Sequence, residues 1–230
     1  MTGHPIDVLI GEEARTLPIS DELEAELARL TPVRLRSPHR HLATVLALSA
    51  AYVLLALAVM TLRRDLDELP ALWVIGVAAA WVLGCSLALW FSLAPRRDSM
   101  LTRWRAAAVV AVVAAVGFVV LGLVLHPHGP SSAHYGWERF AHGHACLEIG
   151  LGIALLPVVA GTVLLRRSQY VRTRWIAAAL GGGGGCLGGL FLHFYCRIAD
   201  GPHVGLIHGG VVGLAMLLAS VLASRFLEAR

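Results

Sequence analysis

Six apolar runs, each long enough to cross the hydrocarbon core of a bilayer, set the limits on what this chain can fold into. They lie at Leu42–Leu62, Leu72–Ala94, Ala106–Leu125, Ala145–Leu165, Trp175–Cys196 and Val204–Ala223; a spanning helix needs about 20 residues. None contains Asp, Lys or Arg, and the single acid is Glu148, near one end of the fourth. Lipid offers backbone groups no hydrogen-bond partner, so runs of this kind must be helices. Hydrophobic residues make up 57% of the chain and charged residues 15%, and the mean hydropathy is +0.70. An ordinary soluble domain is excluded. The sequence predicts an all-α, polytopic membrane protein: a polar tail over 1–41, a six-helix bundle over 42–223 and a short C-terminus over 224–230. From its polar start, about forty residues long, no secretory signal peptide is expected.

All nineteen basic residues are arginine, and their placement orients the bundle. Fifteen lie in the tail, in the loops after the second and fourth runs and at the C-terminus. Only Arg63, Arg64, Arg139 and Arg197 lie on the other side. The positive-inside rule then puts both termini in the cytoplasm, N-in and C-in. Arg63 and Arg64 break the rule, with Asp65, Asp67 and Glu68 beside them to soften the charge.

The tail carries one short amphipathic segment. Ser20 can cap a helix, with Asp21 and Glu22 in its first turn. Leu23, Leu27 and Leu30 then fall on one stripe, and Pro32 ends the segment. Such a stripe is too small to fold alone. It suits a helix lying on the membrane surface or one docking a cytoplasmic partner; its acidic face argues against adhesion to anionic lipid. Arg34 and Arg36 belong to the extended basic linker into the first run. The fifth and sixth runs carry glycines at four-residue intervals: Gly181, Gly185 and Gly189, then Gly205, Gly209 and Gly213. Small residues at this spacing predict close helix packing.

The side chains capable of chemistry collect on the outer face. Eight of eleven histidines fall between His126 and His208, and Cys146 and Cys196 open the fourth run and close the fifth. With a cytoplasmic turn near Tyr170, Cys146 lies 24 residues before it and Cys196 lies 26 after. At 1.5 Å per residue the two differ in height by about 3 Å. Equal depth is a precondition for a disulfide, and bridges persist on that side of a bacterial inner membrane. Cys85 and Cys186 lie inside runs and are expected to pack as small apolar residues. Imidazole and thiolate suit zinc, copper or iron, so a metal ion at the outer face is a candidate cofactor. His142, His144, His193, His203, His208 and Glu148 are the candidate ligands beside the two sulfurs.

The C-terminal half also carries a resemblance. Cys146-Leu147, Pro157, the Arg166–Arg174 turn, Gly181–Gly185, Phe194-Tyr-Cys196, Asp200, His203 and His208 resemble the NrsF-like family of six-helix membrane anti-sigma factors, CarR-like light-responsive regulators among them. The resemblance runs from Ala145 to Ala223; the first three runs match in number and hydrophobicity, the tail in position and length. It implies a non-enzymatic regulator whose tail, with Leu23, Leu27, Leu30, Arg34 and Arg36 as candidate contacts, holds an extracytoplasmic-function-type sigma factor at the inner membrane. Cys146 and Cys196 would then sense an oxidative, metal or photo-oxidative signal.

Two other classes compete. A haem- or metal-dependent membrane oxidoreductase would use His144, His193 and His208 as axial ligands. A small transporter is disfavoured by the lack of charge within the runs. Direct nucleic-acid binding is not expected, because the arginines are scattered among membrane-flanking loops.

Overall fold

Each apolar run becomes one helix. The computed structural model describes residues 38–93, 100–124, 127, 129–130, 143–166 and 173–228. Its helices are α1 (Pro38–Val59), α2 (Ala71–Leu93), α3 (Met100–Val124), α4 (His144–Leu165), α5 (Thr173–Tyr195) and α6 (Gly209–Glu228). A π-helical turn, His203–His208, leads into α6. All six are long and apolar enough to cross a membrane. Their outward side chains, Leu54, Leu72, Val113, Val163 and Leu222 among them, are exposed. An apolar surface this extensive is stable only against lipid.

The fifth helix is the axis. Of its most apolar stretch 89% is buried, against 22–44% in the other five helices. The five consecutive glycines, Gly181–Gly185, explain why. Without side chains, neighbouring helices close onto bare backbone from several directions. A Cβ on Gly184 would stand 2.7 Å from the Ala154 carbonyl oxygen of α4, and one on Gly185 would stand 2.5 Å from Val212 Cα of α6. Gly183 faces Leu89 of α2 at 2.9 Å, and Gly182 faces Ala111 of α3. At Gly184 and Gly185 even the Cβ of Ala would meet backbone and force α4 and α6 away from α5.

The glycine stripes read from the sequence divide differently in space. Gly181 and Gly185 do meet α6, but Gly189 lies against the Trp81 indole of α2, which is itself stacked on Phe118 of α3 at 3.4 Å. Gly205 and Gly209 face α3, around Val119 and Leu123, and nothing lies within 4 Å of a Cβ on Gly213. The sixth helix therefore turns its two upper glycines to α3 and its alanines and valines to α5.

At one end of the bundle the loop after α1 is built into the structure. The first helix stops at Val59, three residues short of the apolar run's end, because the chain folds back under α5. Arg63 N–H donates to the Phe194 carbonyl at 2.9 Å, and the Arg63 side chain pairs with Asp65 through two bonds of 2.6 Å. Both side chains are buried, at 1% and 0% exposure. Of the two arginines that break the positive-inside rule, Arg63 is thus neutralised in a buried pair, whereas Arg64 is exposed. Gly129, from the segment after α3, touches Glu68 of the same loop. The α1–α2 loop, Gly129 and the end of α5 therefore share one end of the bundle.

Candidate functional site

Cys146 and Cys196 meet at that end. Cys146 lies in the first turn of α4, and Cys196 follows the last residue of α5, its N–H still bonded to the Leu192 carbonyl at 2.8 Å. The Cys146 thiol donates to Cys196 Sγ at 3.5 Å. Close contact at this height follows from the helix packing just below it, where Gly188 touches the Gly150 carbonyl. With no Cβ at either position, α4 and α5 approach more closely than ordinary side chains permit. A disulfide would need the sulfurs at about 2.05 Å; the two are free thiols here.

Two histidines complete the group. Cys196 Sγ lies 3.4 Å from His203 Nε2, and the rings of His203 and His208 meet edge to face, 5.1 Å between centroids. Ligand atoms of Cys146, Cys196, His203 and His208 all lie within 4.8 Å of one another. Cys146 is 9% exposed, and the other three are 4% exposed. His208 Nε2 is buried with no hydrogen-bond partner among the described residues.

The π-helical turn is what brings the two imidazoles together. In an α-helix, residues five apart point about 140° away from each other. A π turn closes its hydrogen bonds over five residues, so such residues stack. The closing bond runs from Gly209 N–H to the Val204 carbonyl. Gly143, just before α4, leaves room for the first imidazole: a Cβ there would stand 3.0 Å from His203 Nδ1 and 2.8 Å from Ile207 Cγ1.

The remaining sequence candidates lie elsewhere. His193 is buried, but its Nε2 pairs with the Val74 carbonyl at 3.1 Å and its ring packs on Trp73 at 5.1 Å. That is a helix-to-helix bond between α5 and α2, outside the sulfur cluster. His144 and Glu148 are exposed on the first turns of α4 and add no ligand atom to the group. The three histidines considered as haem ligands thus occupy three different settings. His142, the stripe Leu23, Leu27 and Leu30, and Arg34 and Arg36 lie outside the described residues. Cys85 and Cys186 are buried between helices at 3% and 0% exposure. Sequence reading missed Gly143 and the burial of the Arg63–Asp65 pair. The pair had a signal, an arginine two residues from an acid on the arginine-poor side; Gly143 had none.

Neither the curated proteins nor the solved structures contain a match to this chain. The family described as NrsF, negative regulator of sigma F, matches residues 27–228, which takes in all six helices and the last part of the tail. With six membrane-capable helices, two facing thiols at one end and a match of that extent, the chain belongs to the NrsF family of negative regulators of a sigma factor.

Proposed function

We propose that this protein is a non-enzymatic, inner-membrane anti-sigma factor that holds an extracytoplasmic-function-type sigma factor through its cytoplasmic tail. An oxidative, metal or photo-oxidative signal at Cys146 and Cys196, on the outer face, releases it. Family membership carries the negative regulation. The sensing half of the proposal rests on one observation: thiols on two different helices, 3.5 Å apart, at the end opposite the arginine-rich loops.

The bundle is suited to pass such a signal along. Bridging or ligating the two sulfurs fixes the outer end of α5 against α4. Close-packed helices move as rigid bodies rather than deforming locally, and α5 touches α2, α3, α4 and α6 through its glycines. The signal must bind two arrangements of the bundle with different free energies. A difference of about 3 kcal/mol would change sigma release roughly a hundredfold.

Serine replacements test this reading with a sigma-dependent reporter. Cys146→Ser and Cys196→Ser should each abolish the response at normal protein level, and the double variant should be no worse, since the pair acts as a unit. Normal accumulation with an intact response to oxidants and metals would rule out thiol sensing. Co-purification from detergent and identification of the bound cytoplasmic protein tests the sigma partner separately.

A further inference from the structure

We propose that Cys146, Cys196, His203 and His208 form a tetrahedral site for a thiophilic divalent cation, zinc being the ion whose preferences it fits. Zinc–sulfur bonds of about 2.3 Å and zinc–nitrogen bonds of about 2.0–2.1 Å give tetrahedron edges of roughly 3.3–3.8 Å. The sulfur–sulfur distance of 3.5 Å and the sulfur–nitrogen distance of 3.4 Å already fall in that range. The whole set lies within 4.8 Å, about 1 Å wider than the tetrahedron requires. Two sulfurs and two nitrogens are the donor set of many structural zinc sites.

Two further features point to a ligand. The buried His208 Nε2 has no hydrogen-bond partner among the described residues, a costly state for a polar atom that coordination would relieve. The π turn, energetically poorer than continued α-helix, occurs where it is needed to stack His203 on His208. Such turns are frequent at functional sites. Binding converts both thiols to thiolates and releases their two protons; the imidazoles bind neutral. Cys146, the least covered of the four, marks the side of entry.

The site uses the same thiols as the regulatory reading but does not depend on it, because metal binding is read on the purified chain and sigma release in cells. The full chain in detergent, kept reduced and anaerobic, is titrated with Co2+ and then with Zn2+. We expect thiolate-to-cobalt charge transfer and intense four-coordinate ligand-field bands saturating at about one equivalent, displaced by Zn2+. Loss of an outer partner of a metal ligand typically weakens binding by about 10–100-fold. Removing a ligand itself, in Cys146→Ser, Cys196→Ser, His203→Ala or His208→Ala, should therefore weaken Zn2+ binding by more than about 100-fold. His144→Ala and Glu148→Gln should leave it unchanged. Should an alanine variant not fold, Gly143→Ala gives a second measure, since it crowds His203 with all four ligands present and should weaken binding. A six-coordinate cobalt spectrum would overturn the assignment. So would full-strength Zn2+ binding in the His203 and His208 variants.

Discussion

Asp65→Ala should destabilise this protein more than any surface change of the same size. Asp65 holds Arg63 with two charge-assisted bonds of 2.6 Å, and neither side chain has more than 1% of its surface exposed. A guanidinium cannot escape by losing its proton, so removing the carboxylate leaves a charge buried without its bidentate partner. Breaking such a pair costs about 3–5 kcal/mol, whereas an exposed pair is worth about 0–1. At 1.36 kcal/mol per tenfold, the folding equilibrium should fall by roughly two to nearly four decades. Replacing both partners, in Arg63→Met with Asp65→Leu, removes the charge and its cost together and should return stability to within about 1 kcal/mol. Reversible unfolding in mixed micelles, followed by tryptophan fluorescence, compares the parent chain, Asp65→Ala and the double variant. The same loop bonds the Phe194 carbonyl, two residues before Cys196, so Asp65→Ala should also speed alkylation of that cysteine. A loss below about 1 kcal/mol, or a double variant as unstable as the single one, would refute the buried-pair argument.

Glycine substitutions should separate close helix contacts from open positions. Gly188→Ala, set against the Gly150 carbonyl, should cost about 1–3 kcal/mol or more in the same unfolding assay, while Gly213→Ala, with nothing within 4 Å, should be neutral or better. In the tail, Leu27→Asp should abolish capture of the sigma factor without affecting membrane insertion, because burying a carboxylate in an apolar contact costs several kcal/mol. Unchanged capture in a pull-down would move the contact to the Arg34–Arg36 linker. Single cysteines introduced into a cysteine-free background should be labelled from outside intact cells within residues 127–139 and not within 96–105 or 166–174. Labelling of either arginine-rich loop would invert the orientation.

Hydropathy alone gave six helices, because lipid leaves an apolar run no other way to bond its backbone. Depth was legible too: counting residues from a common turn at 1.5 Å each put Cys146 and Cys196 at one height, and the sulfurs do lie side by side. Rotation about each helix axis was not legible. Hydrophobic periodicity fades when lipid and protein interior are equally apolar, so nothing in the sequence told which flank of α6 meets α3 and which meets α5. The glycine stripes therefore mark close approach without naming the partner. The selection of two histidines from eight was decided by the same missing information. His193 is one turn from Cys196 along the chain, yet faces α2 and bonds Val74. His203 and His208, on opposite flanks of any regular α-helix, come together only because the chain widens into a π turn. The turn lies where Gly205 and Gly209 meet α3, a contact that exists only in the assembled bundle.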